Sequence, residues 1–291
     1  MGDFGPAALV PEAPVDHIAP LSSTDPDEIS VLVTGFGPFK ANLVNASYLI
    51  ASSLPQSFEF TSLDSSTASA EGSTPTSRRV SIHVHPSPIT VAYSTVRTAI
   101  PTILEDYAKS HGGRRPDLVI HIGIAATRSW YAVETQAHRD SYHLSDVKGK
   151  IGYEDGEKLW RELDLPPVLQ PSRAKDLPTA LKDTEVQSSA AARDVPQPYL
   201  NPHPPNKEFL SAWRSFVPPG TDVRLSRDAG RYLCEFIFYT SLAQALRQGQ
   251  HQNVVFLHVP GSCQEEDIQK GKIIAIGLIK ALVTCWISRK V

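Results

Sequence analysis

Cys234 occupies a place where a thiol can serve as a nucleophile. A short β-type run, Val223-Arg224-Leu225, leads into a turn at Asp228-Ala229-Gly230, and Tyr232, Leu233, Phe236, Ile237 and Thr240 then fall three and four residues apart, the spacing of a helix. Cys234 lies in the first turn of that helix. There the unpaired backbone N–H groups and the positive end of the macrodipole favour a thiolate. A buried structural cysteine is the alternative reading, since free cysteine is among the most buried residue types. His258 ends the apolar run Asn253–Val259. Open α/β sheets gather ligands at the carboxyl ends of strands, although a lone histidine in such a run also reads as a satisfied core residue. Glu134 stands among mixed apolar and small polar residues, either at the surface or, if buried, in need of a partner.

The elements that must position these side chains alternate between strand and helix. Ile29–Val33 and Leu118–Gly123 read as strands buried on both faces, and Val80–His85 alternates as a strand does. Helical periodicity covers Asn45–Leu54, Val91–Lys109 (with Pro101 a kink or break) and Asp267–Arg289. The pattern predicts one three-layer α/β/α domain with a mostly parallel twisted sheet, spanning 29–291. Phe36, Gly123 and His258 follow strand ends and Cys234 starts a helix, so all should converge on one rim of the sheet. Residues 1–28 read as a proline-punctuated flexible tail, Phe58–Arg79 as a loop, and 144–222 as a proline-rich surface insertion that overhangs the cleft.

Composition excludes several classes. A net charge of -3 gives no sign of a nucleic-acid or acidic-membrane partner. Three cysteines, Cys234, Cys263 and Cys285, argue against a disulfide framework. The amino terminus lacks the basic start and apolar run of a signal peptide, and Ile273–Ile287 is too short and interrupted to span a bilayer, so a cytoplasmic protein is expected. Gly35-x-Gly37 after a strand invites a dinucleotide reading, but Lys40 stands at the third glycine position and Pro38 removes an N–H. His83 and His85 share a strand face without a third ligand at a sensible spacing, so no metal and no cofactor are expected.

Several of these stretches carry a resemblance. Asp228-Ala229-Gly230-Arg231-Tyr232-Leu233-Cys234, followed by Tyr239-Thr240-Ser241-Leu242, resembles the cysteine motif of the pyroglutamyl-peptidase I family. Those enzymes are cysteine peptidases that remove an amino-terminal pyroglutamate from peptides. Gly35-Phe36-Gly37-Pro38-Phe39 with Asn45-Ala46-Ser47 is similar to the family's opening motif, and Phe256-Leu257-His258-Val259-Pro260 to its histidine segment. The Ala137-His138 and Tyr142 context resembles eukaryotic members. The resemblance implies a phosphorylase/hydrolase-like fold, with pyroglutamylated peptides as substrate. It implies that Cys234 is the nucleophile, His258 the base, Glu134 the acid that orients the imidazole, and Phe36 and Phe39 the holders of the lactam ring. The N–H of Cys234 is a candidate oxyanion donor, with Arg128 or Arg139 as a second. Lys40, Ala46, Ile124 and Glu235 depart from residues common in the family. A non-catalytic pyroglutamyl-peptide-binding homologue, or an amidase of the same fold, are the alternatives.

Overall fold

Strands form where the apolar residues run nearly unbroken. The computed structural model describes residues 28–39, 43–62, 76–176 and 199–287. In it β1 (Ile29–Gly35), β4 (Leu118–Ile124) and β9 (Val254–Val259) are buried along almost their whole length. Central strands covered on both faces require this. They join β2 (Ser57–Ser62), β3 (Thr76–Val84), β5 (Tyr131–Glu134) and β8 (Val223–Ser226) in one sheet ordered β2-β3-β1-β4-β9-β5-β8. Strands β3, β1, β4 and β9 are parallel, β2 is antiparallel to β3, and β5 is antiparallel to β9 with β8 parallel to it. The mostly parallel α/β architecture expected from the sequence is therefore what the chain adopts.

Side chains alternate between two cores. Val31 and Val33 face the layer built by α1 (Ala46–Ser52), α4 (Lys207–Ser215) and α6 (Glu265–Trp286). Leu32 and Phe256 face the layer of α2 (Tyr93–Ser110) and α5 (Leu233–Arg247). Each such side chain, fully buried, contributes roughly 1.5–3 kcal/mol. Helix α5 is buried on nearly every side, as an interior helix with apolar residues all round must be. Helix α2 continues through Pro101, so the expected break does not occur.

Two loop assignments need correction. The Phe58–Arg79 stretch, read as a loop, supplies β2 and β3 at its ends; Ser57-Phe58-Glu59-Phe60 alternates as an edge strand does, and β3 pairs with it antiparallel. The 144–222 stretch is not wholly a surface insertion. It holds a π-helical segment (Tyr153–Glu157), α3 (Lys158–Glu162), β7 (Val168–Leu169, paired with β6, Ala137–His138) and α4. Phe209 and Trp213 of α4 are fully buried, and the Trp213 indole N–H donates to the Ile274 carbonyl at 3.2 Å. Two apolar anchors four residues apart escaped a reading dominated by prolines. The amino-terminal tail and Lys40 lie outside the described residues. No helix among the described residues is long and apolar enough to cross a membrane.

Candidate active site

The loop from β8 to α5 is shaped residue by residue. The Asp228 carboxylate accepts the Gly230 N–H at 3.0 Å, and Gly230 and Arg231 take φ of 93° and 48°. Glycine adopts that left-handed region freely, whereas Arg231 must be held there. Glu235 holds it. Its buried carboxylate accepts the Arg231 N–H at 2.9 Å and the Arg231 guanidinium at 2.7 Å on Oε2, while Oε1 accepts from His138 N (3.1 Å) and Nδ1 (2.5 Å). The helix cap, Tyr232, makes no side-chain capping bond, and the Glu235 carboxylate instead ties down the residue just before it. Cys234 is thereby fixed, half-buried, as the second residue of α5. Its N–H belongs to the first turn, which no intrahelical carbonyl reaches.

Cys234 projects onto the sheet where a glycine makes room. A Cβ built on Gly123 would stand 2.9 Å from the sulfur and 2.5 Å from the Phe256 ring. Gly123 is paired with His258 across β4 and β9, which brings sulfur and imidazole together. On the far side of that ring, His258 Nδ1 donates to Glu134 Oε1 at 2.7 Å, leaving Nε2 for the sulfur. Glu134 is completely buried, and His258 is 4% exposed. Burial pulls the imidazole toward the neutral form, but Cys234 and then Glu134 outweigh it and raise the pKa to about 9.

Glu134 and Cys234 do not approach His258 along strands parallel to its own. Strands β5 and β8 run against β9, so Glu134 and the chain leading to Cys234 arrive from the opposite direction. The four-residue β5 lies between β9 and β8 and ends on the carboxylate that the histidine reaches.

The other expected residues divide. Phe36 is 3% exposed and packs in the α2/α5 core, its N–H bonded to Ser47 Oγ at 3.0 Å. Phe39 is half-buried and meets the Tyr232 ring at 5.3 Å, beside the cysteine turn. Arg128 reaches Glu134 Oε1 at 3.8 Å, whereas Arg139 is committed to Asp140 (2.9 and 3.2 Å) and the Leu165 carbonyl (2.7 Å). Cys263 is exposed, with its sulfur 3.8 Å from the Val44 carbonyl, and Cys285 is half-buried, its thiol pKa pushed up by burial and by Glu208. His83 packs against Tyr107 and His111 (5.2 and 4.6 Å). No group of three or more metal-ligating side chains occurs among the described residues. Gly123 stands at the site as its strand end predicts, whereas His138 and Arg231 shape the site without an assigned role. The glycine's place at a strand end was a usable signal, but nothing local marks Arg231 for a left-handed conformation.

The chain is 28% identical over 231 residues to human pyroglutamyl-peptidase 1, covering 79% of this chain and 78% of that protein. It is 23% identical over 247 residues to the pyrrolidone-carboxylate peptidase of Pyrococcus furiosus, covering 84% of this chain and 88% of the relative. Its homologues are pyroglutamyl peptidases. No family model matches the chain. The fold is that of the pyrrolidone carboxyl peptidase of Thermococcus litoralis, with a TM-score of 0.55 at 18% identity over 90% of this chain and 99% of that one. The pyroglutamyl peptidase I of Bacillus amyloliquefaciens is similar at a TM-score of 0.51 and 19% identity, over 87% and 97% of the two chains.

Proposed function

We propose that this protein is a cysteine exopeptidase that hydrolyses the amino-terminal pyroglutamyl residue from peptides. In this reading Cys234 is the nucleophile, His258 the acid and base, and Glu134 the carboxylate that orients the imidazole. Residues 29–291 then act as one catalytic domain. The observation that carries it is the line of side chains from the Cys234 sulfur through His258 to the buried Glu134, with Nδ1 bonded to the carboxylate at 2.7 Å. Named homologues that are pyroglutamyl peptidases support the choice of substrate.

The chemistry follows from the arrangement. The Cys234 thiolate attacks the pyroglutamyl carbonyl carbon, and the oxyanion forms next to the N–H groups of the α5 first turn. The C–N bond breaks as His258 Nε2 passes its proton to the departing amine, leaving a thioester on Cys234. Water then gives a proton to Nε2 and attacks the thioester, which expels the thiolate and frees pyroglutamate. Glu134 keeps Nδ1 protonated and supports the imidazolium between these steps. The lactam is neutral, so its site needs no counter-ion. Phe39 offers a ring wall at the mouth and Phe36 shapes it from the core.

Release of aminomethylcoumarin from its pyroglutamyl amide tests the reading. The protein should cleave it, Cys234→Ala should not, and the leucyl amide should be spared. Calorimetric binding of a pyroglutamyl peptide without any cleavage would replace the peptidase with the non-catalytic reading.

A further inference from the structure

Glu134 is completely buried, yet only one of its oxygens is bonded to the imidazole. Oε1 takes the His258 Nδ1–H at 2.7 Å and faces Arg128 Nη1 at 3.8 Å, while Oε2 has no hydrogen-bond partner among the described residues. A buried carboxylate in that state requires compensating charge. The groups facing the imidazole and its carboxylate are Cys234 from α5, Glu134 from β5 and Arg128 from the loop between β4 and β5. With thiolate, imidazolium and carboxylate all ionised, these three sum to a single negative charge, and the guanidinium cancels it.

Arg128 is placed for this rather than left to solvent. Its N–H donates to the Ala125 carbonyl at 2.8 Å, fixing the turn after β4. Its guanidinium is 5.9 Å from the Trp130 ring, against which Arg224 also packs at 4.1 Å, and Asp222 pins Arg224 through two bonds of 2.8 and 2.6 Å. Its side chain is 28% exposed, so solvent only partly screens it.

We propose that Arg128 is a positioning residue that holds the Glu134 carboxylate against His258 and sets how tightly the imidazolium keeps its proton. This rests on the Cys234–His258–Glu134 reading but not on the choice of substrate. Without the guanidinium, the uncompensated carboxylate holds the imidazolium more strongly. His258 then stays protonated to higher pH and gives its proton to a leaving amine less readily.

The pH dependence of Cys234 alkylation by iodoacetamide, measured in a Cys263→Ser background, tests this without any substrate. In Arg128→Met the alkaline inflection should move up by about half a pH unit or more, and in Arg128→Lys it should return most of the way to the wild-type value. With the pyroglutamyl amide, kcat should fall about tenfold with KM nearly unchanged. An unshifted inflection in Arg128→Met overturns the proposal, and a lower kcat with no shift would make Arg128 an oxyanion donor instead. If Arg128→Met does not fold, Arg128→Gln carries the same two measurements. A clear shift in alkylation together with an uncleaved pyroglutamyl amide would keep this proposal and remove the substrate assignment.

Discussion

Two histidines lie under helix α5 on neighbouring strands, on the same face of the sheet, and are set to opposite purposes. His258 on β9 meets a thiol and a carboxylate, and its pKa is raised to about 9. His121 on β4 is bonded at Nδ1 to Thr34 and at Nε2 to Ser241, each at 2.7 Å, and burial lowers its pKa to about 3. Both are almost fully buried. Burial alone therefore does not make a histidine chemical. Two hydroxyls satisfy a neutral ring and hold it there, whereas an ionisable partner on each side stabilises the charged one.

Exchanging the two rings' fates gives the largest expected effect. His258→Asn should lower kcat/KM for the pyroglutamyl amide by about 10³-fold or more. His121→Gln should leave activity per folded molecule within a few-fold, and a comparable loss in both would break the contrast. Glu134→Gln preserves shape but removes the charge, and should cost about 10²–10⁴-fold in kcat. Gly123→Ala falls on β4 two residues beyond His121, at the position paired with His258 of β9. A methyl there would stand 2.5 Å from the buried Phe256 ring and 2.9 Å from the sulfur, so it must displace both; kcat should fall about tenfold and the thermal midpoint should drop with it.

The smallest expected effect is in stability, and the two rings differ in sign. His121 binds its proton more weakly folded than unfolded, so its contribution is intact above about pH 6.5 and lost as pH falls; at pH 5 the loss is about 2 kcal/mol. His258 binds its proton more tightly when folded, so its contribution is full below the unfolded value and is lost as pH rises through about 9. Urea midpoints at pH 5 and 7 for wild type and His121→Gln check the first. The acid-side loss should shrink in the variant, and an unchanged loss would assign it to other groups.

Much of the frame was legible because its signals are local. Strands β1, β4 and β9 are written as continuous apolar runs, α5 as a three-and-four repeat, and the placement of Cys234 and His258 follows from where those elements begin and end. Glu134 was not legible as a buried residue from its own neighbourhood. Its partner lies 124 residues away, on a strand running the other way. Strand β2 and helix α4 were hidden by the serine- and proline-rich stretches around them, since their apolar residues are few and acquire meaning only against the layers they cover.

The sequence by itself determined the α/β layering, the cysteine at a helix start and the histidine at a strand end, because periodicity and capping act over a few residues. Only the tertiary structure decided that Glu134 is completely buried against that histidine, that Arg128 rather than Arg139 stands beside it, and that Glu235 braces the cysteine turn. Ionisable groups acquire their roles from charges and burial supplied by distant segments, and those are fixed only when the chain closes.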